Sequence, residues 1–175
     1  MRIYEGSPRQ DWEEVLRSIG AYIDDRGMRG LLFVETDTGL IVQGTVVSDA
    51  SSSSWNESMG QARRETLMLD DDGVGKFMDE ALARRGQAPD STLTHYEAQL
   101  RVIGRYFDEK KPRELFLFEL DGAYIARLTT SGQSGLRQEL VEFTPEDIAD
   151  MIARAPALRR PDSAGNPGSP GGSVP

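Results

Sequence analysis

The sequence has no cysteine, a single histidine, His95, and only three lysines, Lys76, Lys110 and Lys111. Without cysteine there is no disulfide framework, no thiolate zinc site and no thiol nucleophile. With one histidine, any site needing two imidazoles from one chain is excluded. Long apolar runs are missing as well. The longest, such as Leu31 to Val34, are strand-length, far short of the roughly 20 residues of a membrane-spanning helix. The opening residues Met1 to Gly6 contain no apolar stretch of the signal-peptide type. These features read as a soluble cytoplasmic protein with no membrane partner. Basic charge is also short: 20 Lys+Arg against 29 Asp+Glu leave a formal net charge of -9 and a pI near 4.7. The basic residues are scattered in pairs, for example Arg63-Arg64 and Arg84-Arg85. A phosphate backbone needs a clustered basic face, so nucleic acid is not the expected partner.

An internal repeat is present. Shifted by 84 positions, Glu13 to Glu35 lies on Glu97 to Glu119. Identical pairs include Leu16/Leu100, Arg17/Arg101, Ile19/Ile103, Gly20/Gly104, Tyr22/Tyr106, Asp24/Asp108 and Leu31/Leu115. Leu40-Ile41-Val42 then matches Tyr124-Ile125-Ala126, and Leu67-Met68-Leu69 matches Leu140-Val141-Glu142 more loosely. Such self-similarity organises a fold. The unit reads α-β-β-β-α, with copies over 1–90 and 91–160 forming one compact body. The last stretch, 161–175, is dominated by Pro, Gly and Ser. It reads as a disordered tail, because it has too little apolar surface to offset its chain entropy.

The first helix of copy one is expected from about Pro8 to Arg26, with Ser7 as its cap and Gln10 completing a capping box. Trp12, Val15, Leu16, Ile19, Tyr22 and Ile23 recur at three-to-four spacing and form its apolar face. Its counterpart is expected from about Thr92 to Lys110. Gly20 and Gly104 stand inside these helices at a cost near 1 kcal/mol each, which implies close backbone packing, such as one helix against the other. Hairpins follow, turning at Thr36 to Gly39 and at Asp121-Gly122, a strong hairpin signal. Third strands are expected at Glu65 to Leu69 and Gln138 to Phe143, and the closing helices after Asp70 and Thr144. The fold class is therefore α+β: two tandem repeats about a pseudo-twofold axis, forming one antiparallel sheet, or two apposed sheets, with helices covering one face.

Candidate sites are few. The segment Ser48 to Gln61 is longer than its counterpart, about Ser131 to Leu136. It places Trp55 and Met59 in a serine-rich stretch where a plain linker would have neither. Trp is enriched at binding hot spots, although a Trp folded back onto the sheet would explain it equally. Gly60-Gln61 precedes Arg64 and Gly132-Gln133 precedes Arg137. Two such arginines meeting at the axis would clamp an anion; the alternative is a turn followed by an outward strand residue. Glu35 with Asp37, and Glu119 with Asp121, have the two-residue spacing of paired acids. Both aspartates, however, fall where a hairpin turn wants Asp. Asp70-Asp71-Asp72 lacks the alternating spacing of a calcium loop and reads as a helix cap. His95 falls in the first turn of a helix, where a solvent-facing role suffices. Nothing calls for a cofactor or a resident metal.

The residues thus suggest a small acidic interaction or adaptor module without catalysis. It would bind another protein, or itself, through its sheet surface and the Ser48–Gln61 segment. The alternative is an anionic-ligand or enzyme site between the repeats, built on Arg64 and Arg137 with Glu35 or Glu119 as acid or base. That alternative requires these side chains to converge.

Overall fold

A computed structural model of the chain describes residues 11–47, 62–85 and 95–156. Trp55 and Met59, the Ser7 cap and the 161–175 tail lie outside the described residues. The elements in chain order are α1 (Trp12–Arg26), β1 (Met28–Thr36), β2 (Gly39–Val47), β3 (Ala62–Asp70), α2 (Asp71–Arg85), α3 (His95–Lys110), β4 (Glu114–Leu120), β5 (Ala123–Gly132), β6 (Gly135–Phe143) and α4 (Pro145–Arg154). The six strands form one antiparallel sheet in the order β3-β2-β1-β4-β5-β6. The class is α+β, with four helices on one face of the sheet.

The helix layer centres on α1 and α3. Their apolar faces, including Trp12, Leu16, Ile19, Leu100, Ile103 and Phe107, are buried against Phe33, Val42, Leu117, Ala126 and Leu128 of the sheet. The two helices run antiparallel and fasten each other's ends. Asp108 near the end of α3 accepts hydrogen bonds from the backbone N–H groups of Trp12 (2.8 Å) and Glu13 (3.0 Å). Asp24 near the end of α1 accepts from those of Tyr96 (3.1 Å) and Glu97 (3.0 Å). The first turn of each helix, whose N–H groups have no partner inside the helix, is thereby satisfied by a carboxylate of the other. Ion pairs cross the same contact: Arg17 Nε to Glu97 at 3.0 Å and Arg101 Nε to Glu13 at 2.9 Å. A Cβ at Gly20 would overlap the backbone of Tyr96 and Glu97, and one at Gly104 that of Trp12 and Glu13. The glycines mark the helix–helix approach expected of them.

Three sequence expectations shift. The helix expected from Pro8 begins at Trp12. Asp11 is extended (φ -97°, ψ 162°) and caps it by accepting from Glu14 N–H at 2.9 Å. The connection expected over Ser131 to Leu136 is instead strand up to a two-residue turn. β5 and β6 stay paired to Gly132↔Gly135, with Gly135 at φ 114°, a conformation that favours glycine. The third-strand match slips by one residue. Leu67 pairs with Val42 and Leu69 with Leu40, whereas Val141 pairs with Ala126 and Phe143 with Tyr124. Leu140 and Glu142 therefore lie on the opposite face from Leu67 and Leu69. Elsewhere the local chemistry is as read. Asp121 (φ 52°) and Gly122 (φ 81°) make the second hairpin turn. Asp70 accepts from Gly73 N–H at 2.7 Å at the start of α2. Thr144 and Asp147 form a capping box on α4.

Candidate functional site

Side chains alternate between the two faces of a strand. Leu31, Phe33, Leu115 and Leu117 point to the helices, so Leu32, Val34, Phe116 and Phe118 point to the other face. Pairing register sets these into lines. One crosses all six strands: Met68, Ile41, Val34, Phe116, Arg127, Leu140. A neighbouring line reads Thr66, Gln43, Leu32, Phe118, Ile125, Glu142. Among the described residues, no helix lies on this face, and Met68 and Leu140 are 71% and 73% exposed. Central strands with continuous apolar runs, such as LLFV and LFLF here, are usually covered on both faces. In this sheet only one face is covered by described elements.

The junction of β1 with β4 gives this face its relief. The two strands pair only over Leu32–Val34 and Phe116–Phe118. At one end of this short seam the gap is filled by Glu119. Its carboxylate accepts from Gly30 N–H and Leu31 N–H, both at 3.1 Å, and from the Tyr96 hydroxyl at 2.8 Å. Burial, reinforced by Glu119 beside it, pushes the Tyr96 phenol well above its ordinary range. Burial does the same to Tyr124, whose hydroxyl donates to Gln99 at 2.7 Å. Glu119 is thus held by three donors as a structural acceptor.

At the other end the strands part and leave a cleft of about 400 Å³. Glu35, Asp37, Arg113, Glu114, Arg127 and Thr129 line it, together with apolar Val34, Phe116 and Leu136. Thr129 donates its hydroxyl to Glu114 at 3.1 Å. Arg127 lays its guanidinium over the Phe116 ring, 5.5 Å from the centroid. Among the described residues Arg127 makes no ion pair.

The other expected site residues fall as follows. Arg64 pairs with Thr45, on the open face of edge strand β3. Arg137 pairs with Thr130, on the helix side of the opposite edge strand, β6. Five strand spacings separate those edges, about 24 Å, so no shared anion clamp forms between them. Glu35 and Asp37 do line one cleft, but Glu119 is at the far end of the seam. His95 is exposed at the start of α3, 3.2 Å from the Gln99 amide nitrogen and away from the cleft. Among the described residues, no group of three histidines or carboxylates is placed to hold a metal ion.

Comparison with protein-family models, curated proteins and solved structures finds no match to this chain. Function therefore has to be read from the site itself. Arg127, Phe116, Val34, Ile41, Met68 and Leu140 are the residues that sequence reasoning missed. The signal available was the doubly apolar character of β1 and β4; the register that aligns the six was not. Among the described residues, no helix is long and apolar enough to cross a membrane.

Proposed function

We propose that this protein is a cytoplasmic binding module, without chemistry of its own, that docks another protein on the open face of its sheet. The observation that carries the reading is the line from Met68 to Leu140, apolar but for Arg127, on a face that no described element covers; its ends Met68 and Leu140 are exposed, and Ile41, Val34 and Phe116 are half-buried. The face measures roughly 24 Å between outer strand axes and 23–33 Å along the strands. That is comparable to the ~800 Å² each partner contributes to a stable interface. The segment 48–61, with Trp55 and Met59, joins β2 to β3 at the paired residues Val47 and Ala62. It is included in this reading as a second contact beside the sheet edge.

We also read the two halves as copies of one α-β-β-β-α unit about a pseudo-twofold axis through the β1–β4 seam, over 1–90 and 91–160. The reciprocal contacts support this. Asp24 and Asp108, and likewise Arg17 and Arg101, are 84 positions apart and do the same work on opposite helices. On this reading the third strands align as Leu67 with Val141, so Arg64 corresponds to Gln138 rather than Arg137.

The test is capture from native cell extract, followed by binding of the purified candidate partner. Wild type is compared with Leu140→Asp, Met68→Asp, a Trp55→Ala/Met59→Ala double variant, and Ile152→Asp on α4 as a control. The reading expects a stoichiometric partner whose binding is lost with either open-face aspartate and kept with Ile152→Asp. Equal binding by all variants refutes it.

A further inference from the structure

Resting on that reading, we propose that the segment docked on the open face is apolar and carries a carboxylate, an Asp or Glu side chain, that pairs with Arg127. The face is not uniformly apolar: among the described residues, Arg127, on β5 beside the edge strand β6, makes no ion pair there. Arg127 stands in the Met68-to-Leu140 line with Phe116 on one neighbouring strand and Leu140 on the other. Ile125 and Thr129 flank it along β5. The mirror place across the seam is filled differently. There Gln43 is second from the seam, and Thr66 on the outer strand accepts from its amide at 2.9 Å. Arg127 has Leu140 where Gln43 has Thr66. Of the two carboxylates nearest in register, Glu114 is engaged by the Thr129 hydroxyl and Glu142 lies one line away; neither pairs with it. Among the described residues, the ring that the guanidinium rests on is that of Phe116.

A cation left in this state stays hydrated while the face is open. Covering the face removes that water, and burying an unpaired charge is strongly unfavourable. Glu35, Asp37 and Glu114 line the same cleft, but none of them pairs with Arg127 while the face is open, so the counter-charge is assigned to the covering segment. The planar guanidinium fork suits a carboxylate, and Arg at the centre of an apolar patch is a common interface anchor. In two face-to-face arrangements centred on the Met68-to-Leu140 line, a second copy of this chain does not supply that group. Aligned face to face about a twofold along the strands, Arg127 meets Ile41 of the other copy; about a twofold across them, it meets the other Arg127. One arrangement buries the charge on an aliphatic side chain, and the other sets like charges together.

The experiment uses the full chain as bait for a displayed library of random 12-residue peptides. Wild type, Arg127→Gln, Arg127→Glu and Leu140→Asp are panned in parallel, and the sedimentation of each is recorded. Arg127 and Leu140 are both exposed, so these variants fold. The proposal expects wild type to select apolar peptides with an embedded Asp or Glu. A synthetic peptide from that pool should bind Arg127→Gln about tenfold or more weakly, and Arg127→Glu should instead select Lys or Arg. Peptides lost on Leu140→Asp but indifferent to Arg127 overturn this proposal and leave the docking face standing. Peptides indifferent to Leu140 as well overturn the docking reading too. A dimer of the wild type that Leu140→Asp dissolves assigns the face to a second copy and overturns the carboxylate partner.

Discussion

Replacing Gly20 or Gly104 with alanine separates helix propensity from tertiary packing. In an open helix, Gly→Ala stabilises by about 0.8–1.0 kcal/mol. At Gly20 the new methyl would run into the backbone of Tyr96 and Glu97, and at Gly104 into that of Trp12 and Glu13. Backbone cannot swing aside as a side chain can. Overpacking a tight contact costs typically 1–3 kcal/mol and occasionally more; against a backbone the upper part of that range applies. Set against the propensity gain, the expected net loss is about 2 kcal/mol per substitution. For a chain of this size that lowers the thermal midpoint by about 4–8 °C. Gly75 provides the internal control. It lies in α2, and a Cβ there meets nothing within 4 Å. Gly75→Ala should raise the midpoint by about 2–4 °C, from the propensity term alone. Calorimetry of the three variants, with urea unfolding to fix the free energies, makes the comparison. If Gly20→Ala and Gly104→Ala unfold at or above the wild-type midpoint, the close crossing of α1 and α3 is wrong.

Three further outcomes follow from the same contacts. Asp24→Ala and Asp108→Ala each strip two backbone N–H groups of their acceptor, and each should lower urea-unfolding stability by about 1–2 kcal/mol, the range of a lost helix cap. Burial holds the Tyr96 and Tyr124 phenols above their ordinary pKa near 10, so the folded state favours their protonated forms. Their contribution is intact below pH 10 and is lost as pH rises beyond it; ultraviolet titration should show these two ionising last, together with unfolding. Hydrogen bonds from the Thr144 backbone and hydroxyl hold the Asp147 carboxyl below its usual range, which favours its ionised form in the folded state. That capping is present above about pH 4 and lost as pH falls, so amide exchange in α4 should accelerate in acid; Thr144→Ala, which keeps the backbone donor, should reduce that pH dependence, and Asp147→Asn should abolish it.

What was legible in the sequence was local. The apolar spacing of Trp12, Val15, Leu16, Ile19 and Ile23 marked a helix, and Asp121-Gly122 marked a hairpin. The start of α1 was not legible, because part of its capping comes from Asp108, nearly a hundred residues away. The β5–β6 hairpin is not legible, because Ser131 to Gly135 is small or polar throughout. Paired strands at a sheet edge need backbone hydrogen bonds more than apolar side chains. The arginines lie on opposite faces for a sharper reason. Arg64 shares a face with Thr66 and Met68, whereas Arg137 shares one with Glu139 and Val141. A slip of one residue changes the face of every side chain on a strand, and composition carries no record of that register.

The two faces of the sheet answer different demands, and the β1–β4 seam shows where they meet. On the helix side, many polar groups are matched within the chain, although the indole N–H of Trp12 is buried without a partner among the described residues. Glu119 takes up the N–H groups that the bulge at Gly30 releases, and Tyr96 closes over it. Asp24, Asp108 and the Arg17–Glu97 and Arg101–Glu13 pairs do the same between the helices. A buried polar group without a partner destabilises by about 1–3 kcal/mol, so each of these matches contributes to the stability of the fold. The open face carries no such matching at Arg127. Folding alone does not require it, because the guanidinium remains in water. Only a process that removes that water would make the missing partner costly. The contrast between a satisfied Glu119 at one end of the seam and an unpaired Arg127 beside the other is therefore the physical distinction between what holds this molecule together and what it presents outward.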